Sequence, residues 1–220
     1  MKVIVFGATG MVGQGVLREC VLDPDVEQVL AIGRTPTGRR HSKLRELHLS
    51  DFDHLSDVEA ELAGFDACFF CMGVSSAGLT EPEYRRLTFD PALNTARALA
   101  RQSPDATFVY VSGAGTDSTG RSRMMWARVK GETENALLAL DLETYMFRPG
   151  FIQPLHGARS KTALYRAVYA VMSPLYPVLR RVFQNGITST EEVGRAMLRV
   201  VRTGAQNRIL ETGDINAAAR

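Results

Sequence analysis

Short apolar runs alternate along this chain with longer stretches of helical spacing. Residues 2–6 form the first run, and their nearly unbroken apolar character predicts a strand buried on both faces. From Met11 the pattern changes to helical. Further runs end before Gly33, Ser50, Met72, Ser112 and Arg148 (VEQVLAI, LRELHL, DACFFC, TFVYV and TYMF), and each predicts a strand. The clearest helical stretches between them cover 82–101, with Leu93, Ala96 and Ala100 on one face, and 122–140. Alternation of this kind predicts a parallel sheet with helices on both faces. Ligands of such sheets sit beyond the carboxyl ends of the strands, so the residues just after each run are the candidates for chemistry.

The first such position is the most informative. Gly7, Gly10 and Gly13 stand between the first strand and the first helix, spaced G-x-x-G-x-x-G. The first glycine permits a turn that a Cβ would block. The second lets backbone N–H groups approach a pyrophosphate, and the third lets helix and strand pack closely. The helix N-terminus adds positive dipole and free donors. A doubly wound, Rossmann-type α/β fold that binds a dinucleotide is therefore expected. After the second strand, the acidic residue that would hold a free ribose 2′-hydroxyl is missing, and Arg34 stands in its place. A guanidinium pairs with a 2′-phosphate where a carboxylate would repel it, which favours NADP(H) over NAD(H). Arg39 and Arg40 extend the same basic loop, whose competing reading is a solvated surface.

Composition changes this picture little. With 220 residues, the chain has room for one α/β domain, 1–220, with a small substrate-side lid segment at 151–187. A net charge of +2, with no long run of Lys or Arg, argues against nucleic acid as a partner. No charged n-region followed by an apolar h-region opens the chain, so a cytosolic (cytoplasmic) location is the expectation. Cys68 and Cys71 lie three apart in a predicted strand, hence on opposite faces, and read as buried small residues rather than a redox pair. The histidines, His41, His48, His54 and His156, show no metal-ligand spacing, so no metal is expected.

Several blocks together resemble the short-chain dehydrogenase/reductase superfamily, in its atypical or extended NAD(P)-dependent epimerase/dehydratase branch. They are GATGMVG at the start, Asp51 and Phe52 after the third strand, CMG at 71–73, VSGAG at 111–115, and the stretch from Trp126 to Glu134. RPG at 148–150 and ITSTEEVGRAML near the end extend the likeness. Within that branch the chain most resembles the Tat-interacting, tumour-suppressor-type oxidoreductases and their bacterial relatives. The resemblance implies that Gly7, Thr9, Gly10, Met11 and Val12, with Gly13 closing the turn, hold the pyrophosphate. It assigns Arg34 to the adenosine phosphate, Asp51 and Phe52 to the adenine, and the backbone of Cys71, Met72 and Gly73 to the ribose. Ser112 corresponds to the catalytic serine, Lys130 to the lysine on the nicotinamide ribose, and Pro149, Gly150 and Phe151 to the wall beside the nicotinamide.

The departure from the family pattern lies in its Y-x-x-x-K motif, where tyrosine exchanges the proton while hydride moves and lysine lowers its pKa. Here Trp126 stands in the tyrosine position, four residues before Lys130 on one helical face. Indole N–H donates a hydrogen bond but is no general acid or base near neutral pH. Ser112, Tyr84, Tyr165 and His156 are the candidate replacements. Gly131 beside Lys130 costs about 1 kcal/mol relative to alanine inside a helix, and so predicts close approach of another element.

Residues 151–187 are expected to cover the substrate side with an apolar face, suited to an apolar or aromatic small molecule. Pro174 and Pro177, with Arg166, Arg180 and Arg181, interrupt the run that a transmembrane helix would need. A membrane-surface or homodimer contact is the competing reading for that stretch. Ser189 and Glu192 have the form of a capping box, placing a helix from about Thr190 to Arg202, and the tail after Gly213 is expected to fray. Two functions follow: an NADP(H)-dependent oxidoreductase acting on a small carbonyl substrate over Ser112 and Lys130, or a non-catalytic NADP(H)-binding sensor or scaffold with a protein partner, the latter motivated by Trp126.

Overall fold

The computed structural model describes residues 1–52, 55, 57–158, 183 and 185–220. A seven-stranded sheet forms the centre among these residues, in the order β3-β2-β1-β4-β5-β6-β9. The strands are β1 (Lys2–Phe6), β2 (Gln28–Gly33), β3 (Leu44–His48), β4 (Ala67–Phe70), β5 (Thr107–Val111), β6 (Glu143–Arg148) and β9 (Ile209–Glu211). Every pairing is parallel, with Phe6 opposite both Ile32 and Phe70, so the carboxyl ends of the central strands finish level. The winding reverses between β1 and β4, and that switch point is where a doubly wound sheet opens a crevice.

Side-chain alternation along the strands divides the core in two. Ile4, Phe6, Cys68, Phe70, Phe108 and Tyr110 face α2 (Glu81–Gln102) and α3 (Met125–Leu138). Their rings pack as a row, with Phe70 centred 5.7 Å from Phe6 and 5.9 Å from Phe108. Val3, Val5, Ala67, Phe69 and Val109 face α1 (Met11–Leu22) and α4 (Thr190–Thr203) instead. These strand residues are entirely buried or nearly so, which is why the runs read as continuously apolar.

The predicted elements are present, with corrections at several ends. α2 starts at a capping box that the helical periodicity did not reveal: Thr80 N–H donates to Glu83 Oε2 at 2.8 Å, and Thr80 Oγ1 donates to the same oxygen at 2.7 Å. α3 starts at Met125 rather than at 122. The reason is Asp117, whose carboxylate accepts the backbone N–H of Thr119, Arg121 and Ser122 at 2.9, 2.7 and 2.6 Å and holds that stretch as a turn. α4 begins after Ser189, whose hydroxyl accepts Glu192 N–H at 3.1 Å. The tail does not fray. Residues Thr212–Ala218 form α5, Ile215 is fully buried, and Asn216 Nδ2 donates to Ile187 O at 2.9 Å. That contact ties α5 to β8 (Ile187–Ser189), which pairs in parallel with β7 (Phe151–Gln153) as a second small sheet.

Most of the expected lid, including Tyr165, Arg166, Pro174, Pro177, Arg180 and Arg181, lies outside the described residues, as does His54. No helix among the described residues is long and apolar enough to cross a membrane.

Candidate cofactor cleft and active site

The glycine turn is shaped by close contact rather than by sequence motif alone. Gly7 has φ 77°, and a Cβ there would lie 2.9 Å from the backbone of Cys71 and Met72. Gly10 N–H donates to Gly7 O at 2.9 Å and serves as N-cap of α1 without a side-chain cap. No acidic residue occupies the first turn of α1, so its positive end faces the crevice uncompensated. Gly13 is buried, and a Cβ on it would come within 2.2 Å of Gly7 O. It lies outside the described cavity walls and lets α1 seat against the turn.

Two cavities meet at this turn. One, of about 540 Å³, runs from Gly7, Thr9 and Gly10 across the end of β2 to Arg34. The other, of about 450 Å³, lies beyond the ends of β5 and β6 and is walled by Met11, Val12, Trp126, Lys130, Pro149 and Gly150. They share Gly10 and Cys71, Met72 and Gly73. Phe52 contributes to the first wall, its ring edge-on to Phe6 at 6.2 Å, while Asp51 is exposed beside it and is not part of that wall. Arg34 is exposed at the far end. Phe151 is also absent from the described walls, and Ile152 is present in its place, because adjacent strand residues point to opposite faces.

Glu46 and His48 of β3 line the first cavity, and the sequence reading missed both. Their signal was position: they stand at the carboxyl end of the third predicted strand. Glu46 Oε1 accepts Thr37 N–H at 3.0 Å and so ties down the loop that carries Arg34.

At the second cavity, Ser112 and Lys130 are together in the lining. Ser112 follows the parity of Phe108 and Tyr110, so its side chain faces α3. It is buried, and its hydroxyl donates to Glu134 Oε1 at 2.6 Å, with Phe147 O at 3.1 Å. Glu134 is fully buried; it also accepts from Ser118 Oγ at 3.3 Å and from Arg148 Nε at 3.0 Å. Lys130 Nζ donates to the Ser112 carbonyl. Burial pulls the Lys130 ammonium down to about 8, against the opposing charge of Glu134.

Trp126 and Lys130 share the face of α3 that lines this cavity. Gly131 faces the other way, and a Cβ on it would fall 1.9 Å from Asp117 O, the close approach predicted for it. Of the alternative proton donors, Tyr84 is 2% exposed within the core between sheet and helices, and burial pushes its phenol up. His156 is exposed, paired with Glu191 at 2.5 Å, and is not part of the cavity wall. Tyr165 lies outside the described residues. Cys68 and Cys71 are free, Cys68 facing α2 and α3 and Cys71 the opposite layer, and burial pushes the Cys71 thiol up to about 12, far from a nucleophilic thiolate. Among the described residues no cluster of His, Cys, Asp or Glu is placed to hold a metal ion.

The fold is that of the extended short-chain dehydrogenase/reductases and the NAD-dependent epimerases and dehydratases. The glucuronic acid dehydrogenase of Chromohalobacter salexigens superposes with a TM-score of 0.68 at 17% identity, over 95% of this chain and 75% of that one. The Bordetella bronchiseptica enzyme WbmH, solved in complex with NAD+, gives 0.61 at 17% identity, over 92% and 72%. In sequence the chain is similar to a fungal protein, fmp52 of Emericella nidulans, at 31% identity over 159 residues, covering 69% of this chain and 66% of that protein. No family model matches the chain. The fungal relatives in Emericella nidulans, Scheffersomyces stipitis, Coccidioides immitis and Candida albicans are named mitochondrial proteins, which overturns the cytosolic location expected from the sequence.

Proposed function

We propose that this chain is an NADP(H)-dependent oxidoreductase acting on a small, apolar carbonyl compound. The observation that carries the reading is the pair of cavities joined at the glycine turn, with a guanidinium, Arg34, at one end and an ammonium, Lys130, at the other. A dinucleotide has the matching layout: 2′-phosphate and adenine at one end, pyrophosphate over the uncapped start of α1, and nicotinamide ribose at the other end. Bound there, the cofactor would supply hydride. This chain's residues would orient it, with Arg34 on the phosphate, Phe52 against the adenine and Lys130 on the ribose.

The sensor reading rests on Trp126 alone. The half-buried cation beside it supports chemistry, because a positive charge at the nicotinamide end stabilises an oxyanion formed on a reduced acceptor. The test is calorimetric titration with NADPH and, separately, with NADH. Tighter NADPH binding that drops to the NADH level in Arg34→Ala is the expected result. Binding of neither nucleotide would remove the reading.

A further inference from the structure

The far end of the first cavity carries more charge than Arg34 alone. Glu46 and His48, two residues apart on β3, stand in the same wall, and with Arg34 they are its charged or titratable side chains among the described lining, apart from the Cys71 thiol at the shared end. Their placement follows from the strand register. β3 pairs in parallel with β2, Gly33 has His48 as its partner across the pair, and Leu49 N–H donates to Gly33 O at 3.1 Å, so the pairing continues to the last residue before Arg34. Neighbouring strands lie about 4.8 Å apart, which brings the backbones of Arg34 and His48 out side by side at one rim.

The three side chains are not equivalent. The Glu46 carboxylate is engaged, accepting Thr37 N–H at 3.0 Å and the Thr37 hydroxyl. The side chains of Arg34 and His48 are exposed and have no hydrogen-bond or ion-pair partner among the described residues. A ribose 2′-phosphate is largely a dianion near neutral pH, because a phosphomonoester loses its second proton near pH ~6. Towards that dianion, the guanidinium of Arg34 and the carboxylate of Glu46 offset each other, so these two alone leave the wall without net charge. An imidazolium at His48 makes the sum positive, and the dianion itself favours that protonated form, as any close opposite charge does.

Resting on the NADP(H) reading above, we infer that His48 is a second binding residue for the 2′-phosphate, holding it together with Arg34, and that Glu46 sets the strength of the preference by cancelling one of the two positive charges. The preference for NADPH then belongs to the charge sum of the three residues rather than to Arg34. Removing either cation leaves the wall neutral, and neutralising Glu46 makes it positive again. NADH places an uncharged hydroxyl at this rim and is indifferent to the sum.

Calorimetric titration of the full chain with NADPH and with NADH tests this in His48→Gln, Glu46→Gln and the double variant. Glutamine at 48 keeps a hydrogen-bond donor and loses the charge. The ratio of the two affinities cancels whatever the nicotinamide end contributes, Lys130 included, and an unchanged NADH affinity reports an intact cleft. His48→Gln should lower the ratio about tenfold, the worth of one charge-assisted hydrogen bond. Glu46→Gln should raise it about threefold, and the double variant should regain about that factor over His48→Gln alone. A ratio in His48→Gln within about twofold of the parent's would sink the inference. So would a parallel loss of NADH affinity, or a double variant no better than His48→Gln. Binding of neither nucleotide by the parent, or equal binding of both, would instead remove the NADP(H) reading beneath it.

Discussion

The hydroxyl of Ser112 donates to Glu134 Oε1 across 2.6 Å, joining the end of β5 to the middle of α3 inside the protein. Ser112→Ala should therefore cost about 1 kcal/mol of stability, the worth of one hydrogen bond, and leave NADPH affinity unchanged. Urea denaturation and calorimetry together check this. A large loss of affinity would show that the hydroxyl also acts on the cofactor.

Removing the other partner should be far more severe. Glu134→Ala leaves Arg148, whose side chain is 13% exposed, without its main counter-charge, and deprives Ser112 and Ser118 of an acceptor. The expected destabilisation is about 3–5 kcal/mol by urea denaturation, as for one side of a buried pair. Glu134→Gln should recover part of it.

Lys130 predicts a pH dependence. Its ammonium is charged below about 8 and neutral above, whereas an unperturbed lysine stays charged to about 10.4. NADPH affinity should fall as pH rises through 8 and become flat in Lys130→Met. Stability moves the other way. The folded-state value lies below that of an unperturbed lysine, so the cost of burying the charge is full below pH 8 and is relieved between 8 and about 10.4. Denaturation curves at pH 7 and pH 9.5 on the two proteins would separate the effects.

Gly131→Ala should destabilise despite the better helix propensity of alanine. The new Cβ would overlap Asp117 O, and forcing α3 away costs about 1–3 kcal/mol net. A thermal midpoint equal to or above that of the parent would contradict the close approach.

Local patterns carried much of this molecule. The central strands were readable because both faces of each are covered, and the glycine turn was readable because Gly7 and Gly13 meet backbone that no Cβ could clear. Ser189 and Glu192 marked the start of α4 for the same local reason. What escaped the sequence was non-local. The orientation of Ser112 follows from the parity of β5 against α3, and its partner lies 22 residues away. The late start of α3 depends on Asp117 collecting three amides, which competes with helix formation but leaves no periodic trace. The order in the tail depends on Ile215 and Asn216 finding β8 and the α4 layer, and composition alone suggested the opposite.

Trp126 is the only tryptophan in the chain. Its indole stands in the wall of the cavity proposed for the nicotinamide, partly shielded from water. The protein's entire tryptophan emission therefore originates at that one wall. A reduced nicotinamide arriving there absorbs where indole emits, so occupancy would be visible as quenched ultraviolet fluorescence with sensitised blue emission, without any label. The indole in that wall thus gives the cavity an intrinsic optical reporter.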